Sequence, residues 1–222
     1  MYQIAIDGPA GAGKSTLAKA LAKKLGFIYV DTGALYRTIG YYVASKGDDT
    51  TDAEKVIARL SEISLSLAYE NGTQAVILNG ENVGDKIRTP EASMQASNVS
   101  KIPEVRAFLL DTQRNIAKEN SVIMDGRDIG TVILPNADVK IFLVSSFEKR
   151  AERRVKELLE KGMTASYEEV LADMIARDKQ DSTRAVAPLV PADDAVHFDN
   201  SELTLDETVN AAMAIISSKI SV

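Results

Sequence analysis

The chain has no cysteine, no tryptophan and a single histidine, His197. These absences exclude disulfides, thiolate nucleophiles, cysteine-based zinc sites and any site that needs two imidazoles. A Ser-His-Asp triad would have to use His197, and no Gly-x-Ser-x-Gly elbow precedes it. Long apolar runs are also lacking. The longest, 211–216, falls far short of the roughly 20 residues that span a bilayer. The first residues carry neither a basic stretch nor a small-residue cleavage site, so no secretory signal is read and a cytoplasmic location is expected. Basic residues are outnumbered 26 to 32, a net charge of −6, so the overall field attracts neither nucleic acid nor an anionic membrane. Any anionic ligand must be drawn by local clustering.

What is present is enough apolar material for a packed core, 45% of 222 residues, without repeats, low-complexity tracts or proline-rich linkers. Apolar runs bounded by turn residues alternate with segments of helical period, the pattern of an α/β fold with a parallel sheet wrapped by helices. Five core strands are expected at 3–6, 27–30, 121–124, 139–144 and 195–198. Helices are expected at 14–25, stopped by Gly26, and at 34–46, stopped by Gly47. Thr51 with Glu54, Ser166 with Glu169 and Thr204 with Glu207 each fit a capping box that opens a later helix. Between the second and third strands the alternation breaks. Two short runs, 65–69 and 74–78, flank Asn71-Gly72, a hairpin signal, and a third short strand is expected near 81–83. This small antiparallel insertion, 63–88, is followed by helices at 90–99 and 103–118.

One motif carries chemistry outright. Gly8-Pro9-Ala10-Gly11-Ala12-Gly13-Lys14-Ser15 fills every fixed position of the phosphate-loop pattern, follows an apolar strand and opens a helix. The loop amides and helix start would face a bound anion, Lys14 would reach the outer phosphates of ATP, and the Ser15 hydroxyl would face magnesium, with Thr16 completing the nucleotide site. The Asn-Lys-x-Asp and Asp-x-x-Gly patterns of guanine-nucleotide switches are absent, as is Leu-Ser-Gly-Gly-Gln. A small phosphoryl-transfer enzyme or a less typical ATPase remains.

Arginines indicate where a second anion would sit, because a guanidinium binds phosphate bidentately. Arg37 follows Asp31-Thr32-Gly33 at the carboxyl end of the second strand, the edge where open α/β sheets bind ligands. Asp125-Gly126-Arg127-Asp128 leaves the third strand in the same way. Arg177 and Arg184 bracket Asp181. Lys149, Arg150, Arg153, Arg154 and Lys156 make one helix basic, although Glu148, Glu152 and Glu157 could make that a solvated, internally paired face. Asp125 is read equally as a rim carboxylate or as the cap of a turn, and His197 as a structural residue.

These motifs in this order, the phosphate loop, then Asp31-Thr32-Gly33-Ala34-Leu35-Tyr36-Arg37, then Asp125-Gly126-Arg127-Asp128-Ile129-Gly130-Thr131, then Arg184-Ala185-Val186-Ala187-Pro188-Leu189, resemble bacterial cytidylate kinases. The resemblance implies a single nucleoside monophosphate kinase domain with a core at 1–62 and 119–222, a monophosphate-binding insertion at about 63–118 and a short mobile lid at about 150–165. It implies that Thr32, Ser97, Arg106 and Asp128 surround the base, that Arg37, Arg127 and Arg184 bind the acceptor phosphate, and that Arg177 and Asp181 approach the sugar. Lys14, Arg127, Arg184 and one lid arginine, Arg154 by preference over Arg150 and Arg153, are then the catalytic set. Thr32 stands where relatives often have Ser, which keeps the hydroxyl and adds a methyl.

The implied chemistry is self-consistent. A carboxylate such as Asp128 can accept from the exocyclic amine of cytosine while Arg106 donates to its acceptors, and uracil would set a carbonyl against that carboxylate. The acceptor oxygen of CMP or dCMP is already ionised near neutral pH, so no general base is required. Catalysis reduces to alignment and charge neutralisation. CMP and dCMP are the expected small-molecule partners, with ATP and magnesium on the donor side and a monomeric protein. Another small-molecule kinase of this fold and a partner-regulated ATPase are the alternatives.

Overall fold

The computed structural model describes residues 1–70, 73–160 and 162–221. Asn71-Gly72 therefore lies outside the described residues. Eight strands and eight α-helices are described, together with one π-helical turn. Five strands form the main sheet, in the order β2 (Ile28–Asp31), β6 (Val122–Gly126), β1 (Gln3–Asp7), β7 (Val139–Val144), β8 (Val196–Asp199). The β1–β7 and β7–β8 pairs are parallel, with Ile6 opposite Ile141 and Phe142 opposite His197. This is a five-stranded parallel sheet flanked by helices, as the alternation of runs implied.

By its packing the chain divides into two compact units, one of Tyr2–Phe27 with Ile123–Val222, the other of Met1 with Ile28–Val122. In the first, β1, β6 and β7 are buried along nearly their whole length, so they read as continuous apolar runs rather than alternating ones. The helix α1 (Lys14–Leu25) buries Leu17, Ala18 and Leu21 and ends on Gly26, whose left-handed φ of 69° returns its N–H to Ala22. The same unit holds α6 (Phe147–Glu160), α7 (Tyr167–Thr183) and α8 (Leu205–Ser217).

The second unit contains α2 (Thr32–Ser45), α3 (Ala53–Leu60), a three-stranded antiparallel sheet of β3 (Leu65–Glu70), β4 (Thr73–Leu78) and β5 (Glu81–Asn82), then α4 (Pro90–Val99) and α5 (Pro103–Glu119). Its core gathers Leu35, Ile39 and Val43 from α2, Val76 and Leu78 from β4, Val99 from α4 and Leu109 from α5. Helices α2 and α4 approach closely at Gly40, where a Cβ would stand 2.7 Å from that of Gln95. The absent side chain is what permits the crossing.

Several element ends differ from expectation. Strands β2 and β8 sit one residue later than expected, and β6 extends to Gly126, so Asp125 is part of a strand. Helix α2 starts at Thr32, two residues early, because the Asp31 carboxylate caps it by accepting from the Ala34 N–H at 2.9 Å. The Thr51–Glu54 box does not form. Asp52 is the cap, accepting from Lys55 N–H at 3.3 Å, while the Thr51 hydroxyl donates to Asp49 at 2.8 Å; a carboxylate one residue nearer the helix is the better acceptor. Ser166 caps α7 through Glu169 N–H, but its hydroxyl donates to Glu168. Only Thr204 and Glu207 satisfy each other fully. The π-helical turn Ile129–Ile133 was not foreseen; Leu134 N–H reaches back to Ile129 C=O at 2.7 Å.

Candidate active site

The phosphate loop runs from β1 into α1 as its pattern demands. Gly8 has φ 149°, and a Cβ there would lie 2.0 Å from the Leu143 carbonyl oxygen, so only glycine fits beside β7. Gly13, at φ 90°, stands at the N-terminus of α1. The side-chain amide of Asn200, the residue after β8, donates to the Ala12 carbonyl at 3.1 Å and supports the loop. Lys14 is buried, with Nζ donating to Pro9 C=O at 2.7 Å. Burial first, and the nearby Arg127 charge second, hold its ammonium well below the ordinary lysine range. The negative charge of a polyanion beside it would favour the ammonium and oppose both effects.

The Ser15 hydroxyl donates to the Asp125 carboxylate at 2.8 Å. Asp125 is thus no turn cap; it lies within β6 because the strand continues past Met124. This hydroxyl and carboxylate are hard oxygen donors of the kind magnesium takes. Among the described residues no group of three His, Cys, Asp or Glu side chains could hold a metal. A magnesium ion at Ser15 would draw its other ligands from nucleotide phosphates and water, which is its usual habit in phosphoryl-transfer sites.

Beyond β6 the same unit assembles alternating charges. Arg127 Nε donates to Asp181 on α7 at 2.8 Å. Burial alone would raise the Asp181 carboxyl; Arg127 foremost, then Arg177 and Arg184, hold it below its ordinary value. Arg184 approaches Asp128 at 3.5 Å and donates through Nε to Ala187 C=O at 2.7 Å, fixing the loop after α7. Asp128 and Arg184 have side chains 7% and 5% exposed. Behind them Asp7, at the end of β1, accepts from the N–H groups of Ile129 and Gly130 at 2.8 and 2.7 Å. Sequence reasoning did not assign Asp7 a role; an acid ending a buried strand was the available signal.

The other unit carries four of the residues attributed to the acceptor. Arg37 pairs with Asp31 at 2.7 Å. Gln74 on β4 grips Asp31 twice, accepting from its N–H at 2.8 Å and donating to its C=O at 3.3 Å. Nothing in the sequence announced Gln74, because its partner lies 43 positions away. Thr32, on α2, and Ser97, on α4, are buried. So is Arg106, whose guanidinium sits 5.6 Å over the Tyr36 ring and donates to Ser100 C=O at 3.3 Å.

The basic helix α6 is not uniformly a solvated face. Arg150 is buried and paired with Asp178, because the helix turns that residue toward the phosphate loop. Arg153 donates to Asn200 C=O at 3.0 Å, whereas Arg154 pairs with Glu157 one turn along, at 2.8 Å. His197 packs its ring 5.5 Å from Phe142, in keeping with a structural reading. Of the expected lid at about 150–165, the part to 160 is α6, and Lys161 lies outside the described residues.

A parallel sheet with this loop between its central strand and the first helix defines a nucleotide-binding protein of the phosphate-loop class. The cytidylate kinase family model matches residues 4–218, and the chain belongs to the cytidylate kinase family. It is 49% identical over 218 residues to the cytidylate kinase of Thermosipho africanus, covering 98% of this chain and 95% of that one. Against the cytidylate kinase of Caldicellulosiruptor saccharolyticus the identity is 49%, covering 96% and 94%, and against that of Thermotoga maritima 44%, covering 99% and 98%. A crystal structure of an uncharacterized protein from Eubacterium ventriosum shares the fold, with a TM-score of 0.53 at 14% identity and 98% coverage of both chains. No helix among the described residues is long and apolar enough to cross a membrane.

Proposed function

We propose that the protein transfers the γ-phosphoryl group of ATP to CMP or dCMP, giving ADP and the cytidine diphosphate. The observation that carries this reading is the buried Asp128 beside Arg184, next in sequence to Arg127: one carboxylate able to read a base amine among guanidiniums able to hold a phosphate. Residues 8–16 hold the donor, with Gly8, Pro9, Ala10, Gly11, Ala12 and Gly13 shaping the loop, Lys14 on the outer phosphates, and Ser15 and Thr16 at the helix start. Ser15 would hold magnesium, which when bound would supply charge neutralisation to the donor. Arg37, Arg127 and Arg184 bind the acceptor phosphate; Thr32, Ser97, Arg106 and Asp128 contact the base; Arg177 and Asp181 approach the sugar.

The chain's own task is alignment. Lys14, Arg127 and Arg184 neutralise charge shared by donor, acceptor and transferring group, and Arg154 joins them when the short lid at about 150–165 closes over the nucleotide. Closure excludes water and so suppresses ATP hydrolysis. The acceptor oxygen arrives ionised, and no side chain needs to remove a proton. We further read the protein as a cytoplasmic monomer with no nucleic-acid or membrane partner.

The test is ADP formation from ATP and magnesium with CMP, dCMP, UMP and AMP supplied one at a time. Turnover is expected with CMP and dCMP and to be much slower with the others. Rapid turnover of UMP or AMP with CMP inert overturns the reading.

A further inference from the structure

Helices α6 and α7 converge on one residue of the phosphate loop. Arg150 donates through Nη1 to the Ala10 carbonyl at 2.8 Å and through Nε to Ser145 C=O at 3.0 Å. The same guanidinium pairs with Asp178 at 2.6 Å, the two side chains being 3% and 13% exposed, and lies 4.5 Å over the Phe147 ring. Asp178 in turn accepts from the Ala10 N–H at 3.3 Å. Both backbone polar atoms of Ala10 are therefore engaged by one buried ion pair. The next residue is equally confined: a Cβ on Gly11 would stand 2.9 Å from Met174 Cε and 3.4 Å from Arg150 Cβ.

Desolvating two charges costs about as much as their attraction returns, so an ion pair in such a place is a weak stabiliser. Its directional hydrogen bonds are what an apolar pair could not supply. They fix the entry to a loop whose later amides must converge on an anion, where a displacement of about 1 Å is costly. Asp178 also sits one helical turn before Asp181, which holds Arg127.

We propose that Arg150 and Asp178 are positioning residues for the nucleotide donor, clamping Ala10 so that α7 ties the phosphate loop to the anchor of Arg127. The inference rests on the reading of this loop as the ATP site. Asp178→Asn, Arg150→Met, Arg150→Lys and the double variant Arg150→Met/Asp178→Asn test it, through ADP binding by calorimetric titration and through the KM values for ATP and CMP. Each single substitution is expected to raise the ADP Kd and the KM for ATP about tenfold, with the KM for CMP changing less than about threefold. The double variant should resemble a single one, because the pair acts as a unit. Arg150→Lys, which keeps the charge and loses the fork, should fall between wild type and Arg150→Met. Thermal melts identify variants that fold cooperatively; where Arg150→Met does not, Arg150→Lys is read in its place. An unchanged ADP Kd in a folded Asp178→Asn protein, or a double-variant loss equal to the product of the single losses, overturns the clamp. Wild-type protein that binds ADP but turns over no cytidine monophosphate would fail the functional reading and leave the clamp testable.

Discussion

Arg127 and Asp181 are joined by a 2.8 Å hydrogen bond between side chains 19% and 5% exposed, so the guanidinium at the end of β6 is aimed from α7. The carboxylate is kept ionised by that neighbour. An arginine that must meet a phosphate in a fixed orientation gains from such a brace, since less rotamer freedom is lost when the ligand arrives.

Asp181→Asn keeps the shape and removes the charge. The KM for CMP is expected to rise about tenfold, with the KM for ATP changing little. Urea unfolding should register a loss of about 1–3 kcal/mol, the cost of leaving a half-buried arginine with a weaker partner. Steady-state kinetics with each substrate varied decides the point; equal rises in both KM values would mean general disorder of the site.

Asp128 concerns specificity. If it accepts from the exocyclic amine of cytosine, Asp128→Asn offers an amide that can also donate to the uracil carbonyl. The ratio of kcat/KM for CMP over UMP should then fall at least tenfold, mostly by loss on CMP. A variant with lower activity on both and an unaltered ratio would assign Asp128 to holding Arg184 instead, which the 3.5 Å contact allows.

The phosphate loop, the parallel sheet and the arginines at strand ends could be read from the chain because local signals mark them: fixed glycines, apolar runs and charged residues just after strands. The starts of α2 and α3 moved by one or two residues because a carboxylate caps each of them, Asp31 for α2 and Asp52, in place of the Thr51 hydroxyl, for α3. What stayed hidden depends on long-range contact. Asp7 meets Ile129 and Gly130 across more than 120 positions, and Arg150 meets Ala10 across 140. Arg150, Arg153 and Arg154 lie within five positions on one helix, yet Arg150 turns to Asp178 and the phosphate loop, Arg153 to Asn200 and Arg154 to Glu157. Composition could describe them only as a basic face.

Gln74 offers a further test. Its amide clasps both backbone polar atoms of Asp31, whose carboxylate caps α2 and pairs with Arg37. Gln74→Ala should loosen Asp31 and leave Arg37 less well aimed, raising the KM for CMP several-fold, while Gln74→Glu should do worse by setting a second carboxylate near the first. Asp31→Asn is expected to have the larger effect, since the amide oxygen can still cap α2 while the charge that holds Arg37 is lost. If Gln74→Ala is silent in kinetics while Asp31→Asn is not, the clasp is dispensable and the Asp31 charge alone orients Arg37.

Asp7 links stability to pH. Burial, opposed by the N–H groups of Gly130 and Ile129, raises its carboxyl from 3.8 to about 6; the Asp128 charge adds to the rise, and Lys14 works against it. The stem of Lys140 lies against Gly130 nearby. In the folded protein the proton is held up to about pH 6, whereas the unfolded chain releases it near 3.8. Between those values the native state binds more protons, so this group's contribution to stability declines as pH rises, by about 3 kcal/mol across the window. Above it, the ionised carboxylate keeps both N–H donors of the 129–130 turn. Asp7→Asn removes the titration. The stability of wild type minus that of Asp7→Asn, from urea unfolding at intervals between pH 4 and 7.5, should fall through pH 4–6 and then level off. A difference that is flat across the whole range would mean that Asp7 ionises normally inside the fold and that its two hydrogen bonds outweigh its burial.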